Sequence, residues 1–128
     1  MIRNKLGSAT FLASANLSYS NLSDTNLENA MLQHADLSYS ALNSANLKNS
    51  SLEGASLRET DLSSANLEGA DLFDTDLSDS NLSNTRFRIH PEQPLNKLQF
   101  QDCWAWADKP PINLPPEFEI ELRDRFSY

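Results

Sequence analysis

From Thr10 to Ile89 a leucine returns at every fifth position, Leu12, Leu17, Leu22 and onward through Leu82, with Phe87 closing the series. Two residues before each stands a small side chain, always Ala, Ser or Thr, as at Ala15, Ser20, Thr25 and Thr85. The residue between them is usually Asn or Asp. Period five excludes both common elements. On an α-helix each step of five turns the side chain by roughly 140°, which scatters the leucines around the cylinder. On a flat strand five is odd, so successive leucines alternate faces. One geometry keeps them together: short extended segments with a bend of about 90° in every repeat. Four segments then make a square coil of about 20 residues, and the next coil stacks on it at the roughly 4.8 Å spacing of paired strands. Within a segment the leucine and the residue two before it share a face, so both point inward. The narrow interior has no room for two large groups, which accounts for the small partner.

Ala15-Asn16-Leu17, Ala35-Asp36-Leu37, Ala45-Asn46-Leu47, Ala65-Asn66-Leu67 and Ala70-Asp71-Leu72 resemble the Ala-(Asp/Asn)-Leu-x-x consensus of the pentapeptide-repeat family. The resemblance covers sixteen repeats, 80 of 128 residues. It implies an all-β fold, a right-handed quadrilateral parallel β-helix of about four coils, in keeping with the usual hand of parallel β connections. The expected organisation is an N-terminal cap over 1–9, the β-helix over 10–89, and a C-terminal tail over 90–128. The family hosts unrelated roles, so the fold does not name a function.

Ile2 and Leu6 are out of step with the leucine column, and 1–9 read as a cap over the first coil's open edges. No apolar run is long enough to span a membrane and Met1-Ile2-Arg3 leads into no signal-peptide core, so a soluble cytoplasmic protein is expected. The single Cys103 agrees with a reducing compartment and reads as a buried small hydrophobe rather than a reactive thiol. After Ile89, His90-Pro91-Glu92-Gln93-Pro94 breaks the ladder. Leu98 to Trp106 then has two readings. Leu98, Phe100, Trp104 and Trp106 alternate as one strand face, or Leu98/Phe100 and Cys103/Ala105 are two degenerate repeats shifted by an insertion. Glu117 to Phe126 reads as a short helix after Pro116, with Phe118, Leu122 and Phe126 at four-residue spacing, although Phe118, Ile120 and Leu122 also alternate as a strand. Trp104, Trp106, Phe118, Ile120, Leu122 and Phe126 are the candidate capping or dimerisation residues. They carry more apolar surface than one coil end needs, and the surplus could pair two chains about a two-fold axis. The family resemblance implies the same, since those of its members that inhibit type II topoisomerases dimerise through their C-terminal ends.

Stacked residues differ by twenty, so the outer columns can be read directly. Asn26, Asn46 and Asn66 form an amide ladder. Glu28, Lys48, Glu68 and Arg88 alternate in sign, with neighbours attracting across coils. Tyr19 and Tyr39 stack, and the same column continues into Glu59 and Asp79. Phe11 and Met31 share an outward column expected to lie under a terminal segment. The repeats hold eleven acids and four bases, net −7 of the chain's −8. Glu53, Glu59, Asp71, Asp74, Asp76 and Asp79 gather on the first two sides as a candidate acidic interaction patch. That sign disfavours direct nucleic-acid binding.

Chemistry is sparse. His34 and His90 are the only histidines, and nothing in their spacing supplies a nucleophile with a base and an orienter. The aspartates lack calcium-loop spacing, and no glycine-rich phosphate loop or zinc pattern occurs. The expectation is therefore no enzyme, no cofactor and no metal, but a non-catalytic module that binds, and through binding regulates, a protein partner the sequence does not name. The family resemblance adds an alternative, since its quinolone-resistance members resemble duplex DNA in shape and charge and bind type II topoisomerases. This chain shares the rod and the acids. It departs in having no looped insertion within the repeats and a four-coil length of roughly 20 Å, which matches only about six base pairs at 3.4 Å each.

Overall fold

The structure, a computed structural model, describes residues 10–89, 98–115, 118 and 120–124. Its unit is a tight turn repeated every five residues. Each leucine carbonyl accepts the N–H three residues on, from Leu12 with Ala15 to Leu82 with Thr85, at 2.9–3.3 Å. The third residue of every such turn, from Ser14 to Asn84, has a φ between 54° and 74°. Only two of these fifteen corners, Gly54 and Gly69, are glycine. The left-handed conformation costs other residues roughly 1–2 kcal/mol. The corner N–H groups oppose that cost by bonding to the coil above, as Ser14 does to Gln33 and Tyr19 to Ser38. Where Asn or Asp precedes the leucine, it ties down the residue after the leucine, at the start of the bend. Asn16 Oδ1 accepts from the Ser18 N–H at 3.1 Å, Asp36 Oδ1 from Ser38 at 3.0 Å and Asn66 Oδ1 from Glu68 at 2.9 Å. A short side chain bonding its backbone two residues on stabilises a turn, and this is why Asn and Asp recur there.

Four turns close a coil. Pairing is parallel throughout in steps of twenty: Phe11 with Met31, Asn16 with Asp36, Asn21 with Ala41, Asn26 with Asn46, and each again one coil higher. The coils wind in the right-handed sense. The fourth side is regular enough to form short strands, β1 (Asn66–Glu68) and β2 (Arg86–Arg88), which pair in register. Inside, Leu22 to Leu82 are at most 1% exposed and Phe87 is fully buried. Each buried leucine contributes about 1.5–3 kcal/mol relative to exposure. The small partner can be Ser or Thr because its hydroxyl finds a carbonyl. Ser50 and Thr60 donate to Leu47 and Leu57 of their own repeats, while Thr75 and Thr85 donate to Leu52 and Leu62 one coil below. A buried hydroxyl so paired avoids the cost of desolvation.

Coiling does not end at Ile89. Gln99 pairs with Asp76, Trp104 with Asn81 and Ile112 with Arg86, giving a fifth coil on three sides. Of the two readings of Leu98–Trp106, the structure takes the degenerate repeats. Cys103 and Ala105 are buried in the positions of Ser80 and Leu82, whereas Trp104 and Trp106 point outward. The short helix is corrected: no helix occurs among the described residues. β3 (Trp104–Trp106) instead takes β4 (Glu121–Arg123) as a parallel partner. The physical reason is the open edge of β3, whose unpaired N–H and carbonyl groups are satisfied by an added strand and by no isolated helical turn. From Ile112 to Glu121 the chain takes nine residues over three sides that take fifteen lower down (Asn26 to Ala41). It therefore crosses the end of the rod. Leu114 and Ile120 pack on the core there, and Phe118 lies 5.0 Å from Phe100. The N-terminal cap, the His90–Pro94 break and Phe126 lie outside the described residues. Phe11 is 77% exposed, so the expected cover over its column is corrected; Met31 is half-buried by its neighbours.

Candidate functional site

The six acids of the expected patch fall into three local roles. Asp71 and Asp76 each use Oδ1 to accept the N–H two residues on, from Phe73 at 3.0 Å and Ser78 at 2.9 Å, and the second oxygen of Asp76 faces Arg58. Glu59, Asp74 and Asp79 are left-handed corner residues, with φ of 54°, 58° and 62°. Glu53 follows its leucine on the first side. Coil four thus carries Asp71, Asp74, Asp76 and Asp79 around two adjacent sides and the corner between them, with Glu53 and Glu59 one coil below. Arg58 reaches into this group, 3.3 Å from Asp79 and 3.9 Å from Asp76. It half-neutralises the like-charge stack that the sequence places at Glu59 and Asp79.

The corner column is longer than the sequence showed. Tyr19 and Tyr39 stack at 4.9 Å with their planes 5° apart. Above them stand Glu59 and Asp79, and then Asp102, whose φ of 57° marks it as the same corner one coil higher. The Asp79 N–H donates to Gln101, one residue before Asp102. Asp102 was hidden because the phase of the tail depends on an insertion whose effect no local pattern reveals. Its signal was the regular corner position two residues after Phe100, once Phe100 is taken as a degenerate leucine.

Other columns behave differently from expectation. The Asn46 amide reaches Asn26 Oδ1 only at 3.5 Å, so the ladder is secondary to the turn bonds. None of the ion pairs among the described residues joins Lys48 to Glu28 or Glu68. Of the tail residues, Trp104 meets Trp106 edge-on at 5.2 Å and receives the Arg123 guanidinium at 4.3 Å over its ring. Ile120 and Phe118 are half-buried on the chain's own rod, and Leu122 is 55% exposed. Cys103 is buried, its Sγ donating to the Leu77 carbonyl at 2.8 Å, and burial pushes its thiol up to about 11. His34 lies exposed against Gly54, where a Cβ would meet its ring. Among the described residues no three His, Cys, Asp or Glu gather to hold a metal, and no helix is long and apolar enough to cross a membrane. One groove opens on the third side beneath Trp106 and Lys109.

Comparison with known proteins places this geometry. The family model for pentapeptide repeats matches in eight copies over residues 12–49, 40–79 and 50–88. A pentapeptide repeat protein from the Arabidopsis thaliana thylakoid lumen superposes with a TM-score of 0.69 at 21% identity, over 84% of this chain and 70% of that one. HetL, a pentapeptide repeat protein involved in heterocyst differentiation regulation in the cyanobacterium Nostoc, gives 0.66 at 24% identity, over 86% of this chain but 44% of its own. A second Nostoc pentapeptide repeat protein gives 0.62 at 25% identity, over 95% and 86%. No curated protein matches the sequence significantly. With its square coil, its inward leucines and a family match over more than half its length, the chain belongs to the pentapeptide-repeat family.

Proposed function

We propose that the protein is a non-catalytic protein-interaction module, and that its contact surface is the acidic corner of the rod. The observation that carries this reading is the column Tyr19, Tyr39, Glu59, Asp79 and Asp102, flanked by the acids of coil four. The corners at Tyr19, Tyr39, Glu59 and Asp79 are each held by a backbone bond to the coil above, so this surface loses little freedom when it docks. The partner it fits is a basic protein surface rich in arginine, because a guanidinium both pairs with carboxylates and stacks on tyrosine. Arg58 already performs the first of these within the chain.

The test is retrieval of partners from the source cell with wild type and with Glu59, Asp79 and Asp102 all changed to Lys. The triple variant should keep its melting temperature and lose the specific partner. Equal retrieval by both would overturn the reading. The narrower alternative, imitation of DNA toward a type II topoisomerase, meets a size limit: the column's acids rise through only two coil steps, roughly 10 Å, against about 34 Å for one duplex turn. It would displace the general reading if wild type inhibited gyrase supercoiling and the triple variant did not.

A further inference from the structure

The third side of the rod is unlike the others. Through coils one to four its outward positions hold only Asn, Ser, Ala and Asp, with no long or aromatic side chain. The fifth coil then overhangs it. Trp104 stands over Asn81, a step of 23, but Ile112 stands over Arg86, a step of 26, so three extra residues enter at this corner. The Lys109 N–H donates to the Trp106 carbonyl at 2.8 Å, closing the extra residues into a turn, and the Asn84 N–H donates to Lys109 at 3.0 Å, fixing that turn to the rod. Between the overhang and the short side chains lies a groove of about 280 Å³, lined by Asp61, Ser64, Asn81, Asn84, Trp106 and Lys109 among others.

Several polar groups of this groove are unspent. Asp61 uses one oxygen to accept both the N–H and the hydroxyl of Ser63, at 3.0 and 2.6 Å, which leaves the other. Asn81 does the same for Ser83, which leaves its amide donors. The Asn84 amide, the Ser64 hydroxyl and the Lys109 ammonium have no side-chain partner among the described residues. Donors and acceptors therefore line one small space. An anion drawn to Lys109 meets the Asp61 carboxylate, and a cation drawn to Asp61 meets the Lys109 ammonium. Hydroxyl groups suit both, because each donates and accepts. The volume lies just below the range of about 300–1,000 Å³ usual for small-molecule sites. We propose that this groove binds a neutral saccharide of one or two rings, its hydroxyls shared between Asp61, Asn81, Asn84 and Lys109.

Trp104 and Trp106 are the only tryptophans, so Trp104→Phe leaves Trp106 as the sole indole reporter. Fluorescence of that variant is titrated with glucose, N-acetylglucosamine and maltose, and with inorganic phosphate and glycine as the anionic and zwitterionic rivals. At least one sugar should give a saturable change with a Kd of about 1 mM, the scale expected for so small a ligand. Asp61→Asn and Asn84→Gly should each weaken binding about tenfold at an unchanged melting temperature. Both spare the backbone, since Asn81 already makes the same turn bond with an amide and glycine suits the φ of 54° at position 84. Silence from all three sugars up to about 100 mM, a hundred times that expected Kd, would overturn the proposal. So would tighter binding of phosphate or glycine, or sugar binding indifferent to both substitutions. The groove and the acidic column share no residue, so either can fail alone.

Discussion

Each repeat is stabilised by two small decisions, and each can be removed singly. The Asn or Asp before a leucine holds the following bend, so Asn66→Ala should cost about 1 kcal/mol in denaturant unfolding, while Asn66→Asp, which keeps the acceptor, should stay within about 0.5 kcal/mol. Equal losses would mean that the side chain acts through the ladder instead. The inward leucine is the larger contribution: Leu47→Ala at mid-rod should cost about 2–5 kcal/mol, because a fully buried site in a narrow core cannot collapse around the cavity. Cys103 adds a pH dependence. In the unfolded chain its thiol ionises from about 9, and in the fold it keeps its proton to about 11. Between those values the unfolded state binds fewer protons, so stability present below pH 9 is lost as pH rises. The loss should reach about 2 kcal/mol by pH 11. Comparing melting temperatures of wild type and Cys103→Ala at pH 8 and 10.5 isolates it, because the other titrating groups are common to both. The turn bonds and the leucines were legible in the repeat itself, being properties of five consecutive residues.

The tail was legible only in part. That Leu98, Phe100, Cys103 and Ala105 could be repeats was visible, but so was a strand face through Trp104 and Trp106, and local pattern cannot choose between them. Hydrogen bonding to the coil below chooses. Leu77 donates to Gln99 and Leu82 to Trp104, both at 2.8 Å, and this phase turns the tryptophans outward. Glu117–Phe126 misled for the same reason: its four-residue apolar spacing is helical in isolation, yet β3 offered it an edge. Arg123 then lands on Trp104, where it forms part of the last strand's anchorage. Arg123→Ala should cost about 0.5–1 kcal/mol and shift the emission of Trp104. A variant with unchanged emission would show that β4 is held by its backbone alone.

Every repeat presents the same inward pattern whichever side it occupies, so the rod tolerates quarter-turn changes. Deleting residues 40–44 should leave a folded β-helix, less stable by one repeat's burial, in which the upper coils are rotated by one side against the lower. Deleting residues 43–44 alone throws the leucines out of phase and should abolish cooperative melting. The contrast separates architecture from surface. In the five-residue deletion Tyr19 and Tyr39 no longer lead into Glu59, Asp79 and Asp102, so partner retrieval should fall while circular dichroism remains that of the fold. Retained binding would place the contact on one half of the rod and away from the joined column.

The square coil, the inward leucine column, the small partner beside it and the stacking of residues twenty apart all followed from the repeat, because a short-period pattern determines its own geometry at every turn. The identity of most acids near the corner followed with them. The addition of Asp102 to that column, the parallel pairing of Glu121–Arg123, the chain's crossing of the rod end and the groove under Trp106 and Lys109 were decided by the tertiary structure. Each depends on how many residues an interruption inserts before pairing resumes. That number acts through hydrogen bonds between segments 17 to 26 residues apart, and no window of five residues contains it.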